Sequence, residues 1–100
     1  TDPSKGHHAN DSLDKYPENR DRLVALLKRS KVDAVFAGHE HYYQRRTVDG
    51  ILHVISGGGG APMYDREEDG GFCHFIRVMV DGDRVSGEVV DLNGKIRDKF

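Results

Sequence analysis

One hundred residues, 36% hydrophobic and 32% charged with a net charge of -2, suffice for one modest core and not for two. Lysine and arginine are interspersed with aspartate and glutamate, so no basic stripe exists to neutralise a phosphate backbone, and nucleic acid is not an expected partner. The longest apolar run is a handful of residues, too short for a membrane span, so no membrane association is expected.

Residues 1–16, TDPSKGHHANDSLDKY, are polar and aperiodic and predict a loop. They include neither a methionine nor a signal-like segment, and the expectation is a piece cut from a longer chain. A helix is predicted over 17–30. Pro17 tolerates the first turn because its missing N–H has no helical partner there, and Glu18 suits the positive end. Leu23, Leu26 and Leu27 share one face with help from Val24, and Lys28 and Arg29 suit the negative end.

Residues 32–100 read as strands. The run VDAVFA (32–37) is short, apolar and β-branched, which predicts a buried strand, and a helix joined to a strand by so short a link is half of an α/β unit. Asp49-Gly50 between YYQRRTV and ILHVIS signals a hairpin. Asp81-Gly82 and Asn93-Gly94 signal two more turns, so the back half predicts an antiparallel meander of five strands. The lone cysteine, Cys73, excludes an internal disulfide and reads as a strand residue. The glycines at 57–60 and the run DREEDGG at 65–71 are the expected mobile places.

The chemistry concentrates at VDAVFAGHEHYYQR (32–45). In open α/β sheets ligands bind beyond the carboxyl ends of strands, and Gly38, His39 and His41 sit at such an end. On a helix, positions i and i+2 point about 200° apart. On extended or loop backbone they face one side, so two imidazoles so spaced can ligate one ion, or one ion each of a close pair. Gly38 permits the sharp turn that points them outward. The spacing alone is also met by two ordinary surface histidines, and a zinc shell needs about four ligands.

In its strand context this stretch resembles the histidine motif of the calcineurin-like metallophosphoesterases, and is most similar to that of their purple acid phosphatase branch. Gly38, His39, His41, Tyr43 and Arg45 all match. Upstream, ENRDRLVALLKRSKVD looks like the helix that precedes the motif, and GHH at 6–8 like the substrate-facing histidine loop. Downstream, DGILHVISGGGGAPMYD and the stretch from Gly71 to Phe100 look like the hairpin, glycine-rich turn and closing strands. The resemblance thus covers nearly the whole chain. It implies an α/β fold: the carboxyl-terminal portion of a metallophosphoesterase α/β sandwich, with one main helix followed by a mostly antiparallel sheet.

It further implies hydrolysis of phosphate esters at a dinuclear centre of iron, manganese or zinc, with His39 on one ion and His41 on its neighbour. Water or hydroxide held by the metals attacks phosphorus. The family's outer histidine, which holds the phosphate or protonates the leaving oxygen, maps to His8 or His7. The chain departs from the pattern elsewhere. The Asp-any-His, Gly-Asp and Gly-Asn-His blocks that supply other ligands are absent, and the histidine two residues before a proline would precede Thr1. Gln44 stands where many relatives carry glutamate, and Tyr42 replaces a smaller residue.

The expectation is therefore a segment inactive in isolation that holds at most one ion weakly. The alternative is a non-catalytic structural or interaction module. Self-association through an exposed sheet is expected in either case. The glycine run lacks the following helix that a phosphate cradle needs and reads as a flexible turn. His53 and His74 alternate with aliphatic residues and read as core-edge histidines, whereas Tyr43 and Arg45 read as structural partners.

Overall fold

The computed structural model describes residues 12–100. A short 3-10 turn, Leu13–Lys15, falls within the stretch expected to be loop and leads into helix α1, Pro17–Arg29. Pro17 occupies the first helical turn as anticipated. The helix ends in a backbone-satisfied stop. The Lys31 N–H donates to the Lys28 carbonyl (3.2 Å) and the Val32 N–H to the Leu27 carbonyl (3.1 Å), with Lys31 at φ 54 in the left-handed cap position. The apolar face divides differently from the sequence expectation. Val24 and Leu27 are half-buried, while Leu23 and Leu26 remain exposed among the described residues.

Six strands follow: β1 Ala34–Ala37, β2 Tyr43–Val48, β3 Ile51–Ser56, β4 His74–Asp81, β5 Arg84–Asp91 and β6 Ile96–Lys99. They form two three-stranded sheets rather than one meander. In the first, β3 is central, parallel to β1 and antiparallel to β2. In the second, β5 is central between antiparallel β4 and β6. The division falls at residues 57–73, a connection that contains a 3-10 turn, Glu67–Asp69, and no strand.

The turns account for the strand register. Val48 faces Ile51, so Asp49 and Gly50 are the two central residues of the first hairpin, and both have positive φ (52 and 78), as a type I′ turn requires. In the second hairpin Asp81 belongs to β4 and pairs with Arg84, so the turn is Gly82-Asp83 rather than Asp81-Gly82. Between β5 and β6 the Asp91 carboxylate accepts the Asn93 and Lys95 N–H groups and closes the turn. Burial raises the Asp91 pKa, but these bonds and Arg97 outweigh it and hold the group below its usual range.

The core is small: Tyr42, Ile51, Val54 and Ile55 around the first sheet, and Val89 and Val90 on β5. Side chains on and beside the second sheet, Phe75, Met79, Val80 (71% exposed) and Leu92, are uncovered among the described residues. Among the described residues, no helix is long and apolar enough to cross a membrane.

The sheets are joined by specific contacts. Phe36 on β1 lies 6.3 Å from the Phe100 ring, which itself covers Gly87 on β5. The Tyr43 hydroxyl on β2 donates to the Asp98 carboxylate on β6 (2.7 Å), and the Arg45 guanidinium forks the same carboxylate at 2.6 and 3.2 Å. Between them runs the chain that carries the histidines.

Candidate functional site

β1 delivers the chain to the site. Its last residue, Ala37, lies beside Ile55, and β3 ends one residue further on at Ser56. Beyond Gly38 the backbone turns tightly. The Tyr42 N–H donates to the Glu40 carbonyl at 2.9 Å, the Gly57 N–H to the Tyr42 carbonyl at 3.1 Å, and the Tyr43 N–H to the Gly70 carbonyl at 2.9 Å. Glu40 (5% exposed) and Tyr42 (1%) are the inward anchors. His39, between them and Gly38, is exposed, and His41 is half-buried.

The turn is not the extended backbone that the spacing suggests. His39 has φ 77, in the left-handed region that side chains with a Cβ rarely enter, at a cost of about 1–2 kcal/mol. Neighbouring bonds over-determine the turn and hold it there. A comparison of two variants measures this strain. His39→Gly and His39→Ala both remove the imidazole, but only alanine retains the disfavoured Cβ. The glycine variant is expected to be more stable than the alanine variant by about 1 kcal/mol in thermal or urea unfolding. Equal stabilities would mean that the backbone relaxes.

His41 is oriented by a segment that the sequence did not point to. Its Nδ1 lies 2.8 Å from the Pro62 carbonyl oxygen, and its ring stacks on Tyr64 with centroids 5.2 Å apart and planes 17° apart. A carbonyl only accepts, so Nδ1 carries the hydrogen, and in the neutral ring the lone pair is on Nε2. Metal-ligating histidines commonly donate their other ring N–H to such a carbonyl.

The glycine run is partly structural rather than flexible. A Cβ on Gly57 would sit 1.8 Å from the Glu40 carbonyl oxygen, and one on Gly58 would sit 2.2 Å from the His74 ring. These two glycines let β3's exit pass against the histidine turn and against β4. His74 is buried, with Nδ1 on the Phe72 carbonyl (2.8 Å) and Nε2 on the Ser56 hydroxyl (3.0 Å), a satisfied core-edge histidine as the sequence suggests. His53 is half-buried opposite Arg46, and burial together with that cation lowers its pKa.

Tyr43 and Arg45 are consumed by structure. Besides the Asp98 fork, Arg45 donates to the Lys99 carbonyl at 3.2 Å, and burial with the Asp98 bond pushes the Tyr43 phenol upward in pKa. An open cavity of about 500 Å³ lies over this network, bordered by Glu67, Asp69, Arg97 and Asp98. Arg97 lies over the Phe72 ring at 4.2 Å and pairs with Glu67 and Asp91.

The donor set fits a metal in part. His39 and His41 are brought to one turn, and the His41 hydrogen bond to Pro62 places that ring's hydrogen on Nδ1. Among the described residues, no group of three or more histidine, cysteine, aspartate or glutamate side chains is arranged to hold an ion. His7 and His8 lie outside the described residues.

A helix leading into a sheet with one parallel pair, a histidine turn at the strand end and a following antiparallel sheet make up an α/β fold. The solved structure that carries the comparison is wild-type Vps29 from Entamoeba histolytica in complex with Zn2+. It is similar at a TM-score of 0.54 and 17% identity, over 81% of this chain and 46% of that one. The chain thus spans about half the length of that protein, and at this identity the likeness concerns the fold. No family model and no curated protein matches the sequence.

Proposed function

We propose that this chain supplies His39 and His41 as metal ligands to a phosphoesterase of the calcineurin-like superfamily, acting on phosphate esters. The carrying observation is the His41 Nδ1 contact with the Pro62 carbonyl, which supports Nε2 as the coordinating nitrogen beside an exposed His39. The metallophosphoesterase-like fold supports the class, and the solved neighbour was crystallised with Zn2+. The spacing Gly38-His39-any-His41-any-Tyr43-any-Arg45 supports the purple acid phosphatase-like branch. When bound, a metal pair supplies Lewis acidity toward phosphoryl oxygens and lowers the pKa of water. The chain's own part is to hold two imidazoles at the strand end, with His8 or His7 as the substrate-facing group.

One observation favours a second reading. Among the described residues the third ligand is missing, so the segment alone is a structural module with weak metal affinity. Zn2+ titration watched at the His39 and His41 ring signals by NMR is expected to shift both at millimolar metal or below. Assayed on a chromogenic phosphate monoester with manganese, iron or zinc, the same sample is expected to give no turnover above metal alone. Absence of any ring shift would remove the metal assignment. Metal-dependent turnover abolished by His39→Ala would show that the segment is itself an enzyme.

A further inference from the structure

We infer that the segment 61–64 is a tautomer clamp, in which the Pro62 carbonyl and the Tyr64 ring hold His41 with its hydrogen on Nδ1 and so decide which nitrogen meets a cation. The inference rests on the metal reading above for its purpose, but its geometry stands without a metal.

Three features make the clamp. The Nδ1–O distance of 2.8 Å is a full hydrogen bond to an atom that only accepts, so one tautomer satisfies it. The near-parallel Tyr64 face, at 5.2 Å and 17°, opposes rotation of the imidazole out of that plane. Tyr64 is 52% exposed, so its placement is not explained by burial in the core. The chain that leads into the segment is held against the histidine turn and against β4. Gly57 donates to the Tyr42 carbonyl, the Gly58 carbonyl accepts the His74 N–H at 3.0 Å, and Gly60 at φ 136 redirects the chain toward Pro62. Pro62 has a locked φ, which stiffens the carbonyl that follows it. A solvated neutral histidine favours the opposite tautomer, with its hydrogen on Nε2. Without the clamp, Nδ1 would therefore be the commoner free lone pair. Tyr64 and Pro62 are thus positioning residues acting through His41.

The test reads the tautomer directly. In metal-free protein, under conditions where the ring is neutral, long-range proton–nitrogen NMR is expected to show a protonated Nδ1 and an unprotonated Nε2 for His41. Tyr64→Phe retains the stack and should leave this pattern unchanged. Tyr64→Ala should move His41 toward the Nε2–H form and weaken its Zn2+ midpoint about ten-fold, while the His74 ring signals stay in place as the check on folding. Pro62→Gly should act in the same direction by loosening the carbonyl. A wild-type His41 protonated on Nε2 would overturn the clamp. So would a Tyr64→Ala protein with unchanged tautomer and unchanged Zn2+ midpoint. A wild-type protein with the Nδ1–H form but no ring shift on adding Zn2+ would support the clamp and overturn the metal reading, so the two failures are distinguishable.

Discussion

Gly57→Ala is expected to disorder the histidine turn and lower the melting temperature by more than about 10 °C. The added Cβ would stand 1.8 Å from the Glu40 carbonyl oxygen, 2.7 Å from its carbon and 3.2 Å from the His41 Cα, all backbone atoms. No side-chain rotation relieves such a clash. Either β3's exit moves or the turn does, and the Gly57 N–H bond to the Tyr42 carbonyl is lost with it. Overpacking against a fixed backbone costs about 1–3 kcal/mol, and loss of this bond beside the buried Tyr42 puts the sum at or above the upper end. For a chain of this size each kcal/mol is worth about 4–8 °C. Gly59→Ala is the matched control, because a Cβ there meets nothing within 4 Å, and it is expected to change stability by less than about 0.5 kcal/mol. Thermal melts of the two variants decide the matter. Equal melting temperatures would show that the turn accommodates the methyl group and that Gly57 does not position the histidines.

That prediction also marks how far the sequence reaches. Local devices were legible. Pro17, Glu18, Lys28 and Arg29 act within one turn of a helix end, and Asp49-Gly50 encodes its own positive φ values, so helix and first hairpin follow from neighbouring residues. The Gly-His-any-His turn was legible as a class because its strand context is local too. What escaped depends on partners distant in the chain. Whether Gly57 is a spacer or a packing glycine is decided by Glu40, and Gly58's role by His74. The carbonyl that orients His41 belongs to Pro62, and nothing in APMYD announces it. The expectation of one meander failed for a related reason. Strand propensity identifies β3 and β4 but does not say that residues 57–73 carry the chain to a different sheet. The likeness to the Vps29 fold rests on the whole arrangement of elements, whereas the resemblance to a purple acid phosphatase motif rests on a few letters, two of which, Tyr43 and Arg45, are occupied holding Asp98.

Asp98→Asn is expected to destabilise the protein by about 2 kcal/mol near neutral pH, and by progressively less in acid. The carboxylate accepts the Tyr43 hydroxyl, two Arg45 donors and the Lys99 N–H, and it joins β2 to β6 at the strand that leaves the histidine turn. The amide keeps the shape but offers one acceptor oxygen and turns two hydrogens toward donors. Hydrogen bonds to charged groups are worth about 1.5–3 kcal/mol, and the partial exposure of Arg45 argues for the lower part of that range. The pH dependence follows from the shift. Arg45's hydrogen bond is the chief cause that holds the Asp98 carboxyl below its ordinary value, against the opposing effect of burial, and Tyr43 adds to it. Because the folded value is depressed, the stabilisation is fully present above the unfolded value near about 3.9 and is lost as pH falls through the folded value. Unfolding curves of wild type and Asp98→Asn should therefore lie far apart at neutral pH and converge toward strong acid. A gap that stays constant across that range would mean that the carboxylate's charge contributes nothing, and that β2 is held to β6 by packing of Tyr43 alone.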